Sequence, residues 1–145
     1  MPSLNHSIIC QNLGVAFAPF RDRVSIHQTL SLNLDGWLCV PDVCVYPAGV
    51  LHARSRSDLN EVTVAPALVI EVLSPMQNLQ PLLDKVRQYH EHGVESCWIV
   101  IPGSRTVAVY PKTGPSNAVS TGTVSHQQFV IEVSLADIFY GIEDA

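Results

Sequence analysis

Charge is what this chain has least of. Across 145 residues, Asp, Glu, Lys and Arg make up 14%, against about 25% in an ordinary soluble domain. The eight Lys and Arg are scattered among thirteen Asp and Glu, for a net charge of −5. No basic stripe is ready to release counterions from a phosphate backbone, which argues against tight nucleic-acid binding by charge alone. The four cysteines, Cys10, Cys39, Cys44 and Cys97, form no C-x-x-C pair, so a zinc site is not expected and they read as reduced, buried thiols. No apolar run is long enough to span a bilayer. No Lys or Arg precedes Arg21, so the charged start of a signal peptide is missing. No internal repeat is visible. These absences lead us to expect a soluble, cytoplasmic protein. The charge deficit points to apolar surface covered by a partner, most simply a second copy in a homodimer.

What is present alternates between helix and strand patterns. Residues 4–18 space Ile8, Ile9, Leu13, Val15, Ala16 and Phe17 roughly as a helix does. The stretch 29–34 alternates as a half-buried strand, and Asp35-Gly36 signals a tight turn into a second extended segment. Pro41-Asp42 then opens the short strand VCVY, and residues 47–65 read as a long loop. Residues 79–92 place Leu82, Leu83, Val86 and Tyr89 on one helical face, with Gly93 as terminator. Strands are expected at 97–101, at 106–110 and in QFVIEV, the last two joined by a turn-rich stretch at 112–125.

One segment sets a chemical problem. PALVIEVLSP, residues 66–75, is a two-faced apolar strand bounded by Pro66 and Pro75, yet Glu71 interrupts it. A strand buried on both faces needs helices on both sides of its sheet, which predicts an α/β domain with a mixed sheet. A buried carboxylate must lose its charge or find a partner. Asp42, on a neighbouring strand, could join Glu71 on a divalent cation; hard oxygen ligands suit Mg2+ or Mn2+. Lys85 follows on the next helix, with Tyr89 one turn beyond on the same face, and could assist an attacking water or neutralise a phosphate. Glu71 reads equally well as one half of a structural ion pair with Lys85. Taken singly, Asp42 is a turn residue, Lys85 a solvated charge, Tyr89 a core aromatic and His6 a residue near a helix start. Arg54, Arg56 and Asp58 read as solvated loop charges, Trp37 and Trp98 as core or interface. His90 and His92, two apart on a helix, cannot face each other.

The ordered set PDVCVY, PALVIEVLSP and DKVRQYHEHGVESCWIVIP resembles the bacterial restriction endonuclease-like family of the PD-(D/E)XK nuclease superfamily, from about His6 to the C-terminus. The resemblance implies one restriction endonuclease-like domain over residues 1–145, a mixed central sheet flanked by helices. It implies a metal centre on Asp42, Glu71 and the carbonyl of Val72. The catalytic set would be Asp42, Glu71 and Lys85, with DNA as substrate and metal-dependent phosphodiester hydrolysis as the reaction. The superfamily's lysine position, two residues after the second acid, holds Leu73, and Lys85 on the following helix would replace it. Family members usually begin with a glutamate-bearing hairpin, whereas this chain begins almost at its first helix. Acids common in the family are replaced at Ala67, Pro81 and Ile101. The alternative is therefore a catalytically silent nuclease fold acting as a dimeric binding or interaction module.

Overall fold

Ser3 opens the first helix, its side chain accepting the His6 N–H at 3.2 Å as an N-cap. The computed structural model describes residues 2–144. Helix α1 (Leu4–Phe17) buries Ile9, Cys10, Leu13 and Phe17. It leads into β1 (Val24–Gln28), a hairpin of β2 (Leu32–Leu34) and β3 (Trp37–Cys39), and β4 (Val43–Pro47). A long loop precedes β5 (Leu68–Val72); α2 (Leu79–Glu91), β6 (Ser96–Ile101) and β7 (Thr106–Pro111) follow. The chain continues through β8 (Asn117–Val119), β9 (Thr123–His126), β10 (Ile131–Ser134) and α3 (Leu135–Ile138).

Six strands form one mixed sheet in the order β1-β4-β5-β6-β7-β8, and only β5 and β6 run parallel. A parallel pair needs a crossover, which α2 provides. Successive β5 residues point to opposite faces. Leu68, Ile70 and Val72 join the core beneath α1, and Val69 joins the one beneath α2. The same parity sends Glu71 toward α2. The mixed α/β architecture with helices on both faces is as expected.

Three local expectations differ. The strand expected at 29–34 is broken at Thr29, whose φ is +48°, and β1, hidden in the mostly polar VSIHQ, precedes the break. The turn at Asp35-Gly36 is as expected: both residues have positive φ, +56° and +90°, as a two-residue hairpin of the I′ kind requires. The turn-rich stretch 112–125 contains the short strands β8 and β9. QFVIEV is not a single strand: residues 127–129 make a 3-10 turn and Val130 has φ +54°, so β10 begins only at Ile131. All four cysteines are buried free thiols. Among the described residues no helix is long and apolar enough to cross a membrane.

Candidate metal centre

Strand β4 pairs antiparallel with β5 in a register that matches Val43 to Ile70. Continuing that register by one residue sets Asp42 opposite Glu71, and directly opposed side chains lie on one face about 5 Å apart at Cβ. The ladder ends there because Pro41 cannot donate a strand hydrogen bond. The Val72 N–H, left without a strand partner, donates instead to Asp42 Oδ2 at 2.8 Å. In a strand the N–H and C=O of one residue point to the same side, so the Val72 carbonyl also belongs to this open edge. Leu73, one residue on, turns the other way and donates to Val100 O at 2.9 Å.

Glu71 is only 3% exposed, and its Oε1 accepts two hydrogen bonds, from Tyr89 OH at 2.9 Å and Lys85 Nζ at 3.2 Å. Both donors come from α2, four residues apart and so on one face. No donor among the described residues reaches Oε2. Burial, then the Asp42 charge, pushes the Glu71 carboxyl up to about 7; Lys85 opposes this, a hydrogen bond with the Asp42 carboxyl adds to it, and Tyr89 opposes it again. Burial and the neighbouring Asp42 carboxyl thus both favour the protonated form of Glu71. Tyr89 is completely buried and its phenol is held far above its usual range, by burial first and the Glu71 charge second; it donates a hydrogen bond and keeps its proton. Lys85 is 36% exposed at its side chain and stands at the rim.

The opposite flank carries His6, whose Nε2 lies 2.9 Å from Asp42 Oδ1. From the sequence His6 is a residue near a helix start, most simply a surface or capping one, and the structure places it in the site instead. The sharper signal was spacing: His6, Cys10, Leu13 and Phe17 lie on one stripe of α1, and the last three are buried. Asp42, Glu71, Val72, Lys85 and His6 all line one open cleft of about 420 Å³. Two larger clefts, of about 630 and 610 Å³, lie beside β9 and share His126, but neither brings two carboxylates together with a cation. Arg54, Arg56 and Asp58 sit exposed in the long loop and line none of these clefts. His90 and His92 are spent on backbone carbonyls, those of Val94 and Gln88.

The donor set fits a hard divalent ion. Among the described residues no group of three or more His, Cys, Asp or Glu is arranged to hold a metal, so an ion here would rest on two carboxylates, one carbonyl and water. That is the usual environment of Mg2+, which keeps several waters and takes only one or two protein carboxylates. A cation would also relieve the contact between the Asp42 and Glu71 carboxyl groups.

A family model named Uma2 and described as "Putative restriction endonuclease" matches residues 1–142. Among solved structures, one described as a putative nuclease belonging to DUF820 from Anabaena variabilis superposes with a TM-score of 0.79 at 23% identity. The match covers 96% of this chain and 82% of that one, and at this identity the likeness speaks for the fold. No curated protein matches the sequence.

Proposed function

The chain belongs to the Uma2 family, and from that premise we propose that it is a metal-dependent endonuclease that hydrolyses phosphodiester bonds in DNA. The observation that carries the proposal is the Asp42–Glu71 pair at the open end of the β4–β5 ladder, with Lys85 at its rim. Asp42, Glu71 and the Val72 carbonyl would hold Mg2+ or Mn2+. When bound, such an ion supplies Lewis-acid charge that activates water and neutralises phosphate. The chain's own residues do the rest. The Val72 N–H fixes the Asp42 carboxylate, Tyr89 orients Glu71 through Oε1, and Lys85 Nζ offers its remaining protons to the attacking water or a phosphate oxygen.

A second reading has one observation in its favour. Glu71 already has two donors from the protein itself, Tyr89 and Lys85, so the cluster can stand as structure alone in a silent, dimeric interaction module. Calorimetric titration of Mg2+ and Mn2+ into the wild type and Glu71→Gln separates the two. The nuclease reading expects binding in the wild type, none in the variant, an unchanged fold, and metal-dependent cleavage of DNA by the wild type alone. A wild type that binds neither ion at millimolar concentration overturns it in favour of the silent module, whose dimer sedimentation would then detect.

A further inference from the structure

We propose that His6 is a positioning residue of the metal centre, holding Asp42 through an Nε2–H whose placement on the ring is chosen by Cys10. The inference rests on the metal reading of Asp42 and Glu71 and adds the device that orients the first of them.

Four groups form a continuous chain. Cys10 Sγ lies 3.8 Å from His6 Nδ1, His6 Nε2 lies 2.9 Å from Asp42 Oδ1, and Asp42 Oδ2 accepts the Val72 N–H at 2.8 Å. A carboxylate oxygen has no proton to give, so the nitrogen facing Oδ1 carries one. In a neutral ring the other nitrogen is then an acceptor, and a donor must face it. Cys10 is that donor: its thiol is 6% exposed and pushed up to about 12, by burial first and then by the charges of Asp42 and Glu71, so sulfur keeps its proton. Ser3 fixes the first helical turn by capping the His6 N–H.

The two bonds to Asp42 come from opposite directions, one from α1 and one from the end of β5, and together they fix the plane of its carboxylate. An imidazole N–H, unlike a fixed cation, can do this without spending the negative charge that a metal ion needs. A Lys or Arg at position 6 would hold the same oxygen and compete for that charge. Hydrogen-bonded partners behind a metal ligand matter at about 10–100-fold in affinity when removed.

The test compares wild type, His6→Ala, His6→Gln and His6→Lys by calorimetry with Mn2+ and Mg2+. His6→Ala should weaken binding about 10–100-fold, His6→Gln should restore most of it because its amide can donate from the same place, and His6→Lys should bind worse than His6→Gln. Wild-type binding with His6→Ala unchanged overturns the positioning role and leaves the metal reading standing, whereas no wild-type binding overturns both. A two-bond proton–nitrogen spectrum at mildly alkaline pH reads the second element without metal. His6 should carry its proton on Nε2 in the wild type and lose that bias in Cys10→Ala; a proton on Nδ1 in the wild type overturns the assignment to Cys10.

Discussion

Glu71 and His126 are both buried titratable side chains, 3% and 7% exposed, and the molecule treats them in opposite ways. Glu71 is surrounded by polar partners, Tyr89, Lys85 and Asp42, in a cleft smaller than either of the two beside β9. His126 stacks on Phe129 with ring centroids 4.7 Å apart, lines both larger clefts, and finds no hydrogen-bond partner for either ring nitrogen among the described residues. Volume and burial are therefore poor guides to chemistry in this fold. Convergence is the better one: His6 of α1, Asp42 at the start of β4, Glu71 of β5 and Lys85 of α2 meet in one cleft. The two sites also tilt stability in opposite directions with pH. Burial raises Glu71 and lowers His126, so the first prefers acid and the second base.

The largest consequence is at Glu71. Its carboxyl is raised from 4.5 to about 7 in the folded protein. Between those values the folded state holds a proton that the unfolded chain has released, so stability falls as pH rises. The contribution is fully present below about 4.5 and gone once the pH has risen through about 7, about 3 kcal/mol at 1.36 kcal/mol per pH unit. Urea denaturation across that window should show this slope in the wild type and lack it in Glu71→Gln. Parallel curves for the two proteins would remove Glu71 from its place as the strained partner in the comparison.

Lys85→Met sharpens the same contrast with a smaller effect. Deleting one partner of a buried ion pair usually costs about 3–5 kcal/mol, but two features lower that here. Lys85 is 36% exposed, and Glu71, already near 7, can take up a proton when its cation is lost. At about pH 6 the variant should lose under about 1 kcal/mol, with the deficit growing above pH 7 by up to 1.36 kcal/mol for each unit that the carboxyl climbs. A loss that is large and independent of pH would mean that Glu71 stays charged and that the pair is purely structural.

Much of this site was legible before the fold, and the reasons differ by residue. Glu71 announced itself because a charge in an apolar run is a local contradiction. Lys85 and Tyr89 followed from helical spacing. Asp42 needed the register of β4 on β5, which is tertiary information; only its place after Pro41 and the ordered set of motifs pointed to it. His6 was noticed but not assigned, because a contact between α1 and the start of β4, 36 residues apart, leaves no pattern within either segment. His126 escaped notice for a related reason. It lies just past the turn-rich stretch, at the end of β9, which is only four residues long, too short for its alternation to stand out. Val130, with φ +54°, conceals a break that its side chain, a strand former, argues against.

The smallest expected effect tests the other half of the comparison. If His126 is buried without partners, its imidazole contributes packing on Phe129 and nothing by hydrogen bonding. Replacing an unsatisfied polar ring with an apolar one of similar shape is then close to neutral or stabilising, within about 1 kcal/mol. His126→Phe should also remove an acid sensitivity. Because burial holds the folded-state pKa of His126 below its ordinary 6.5, the unfolded chain binds the extra proton first, and stability is lost as pH falls below that value. The variant should match or exceed the wild type in denaturation midpoint at neutral pH and pull ahead as the solution is acidified. A clear loss at neutral pH would mean that His126 has partners in solution, and the region beside β9 would then have to be counted, with Glu71, among the places where this fold gathers polar groups on purpose.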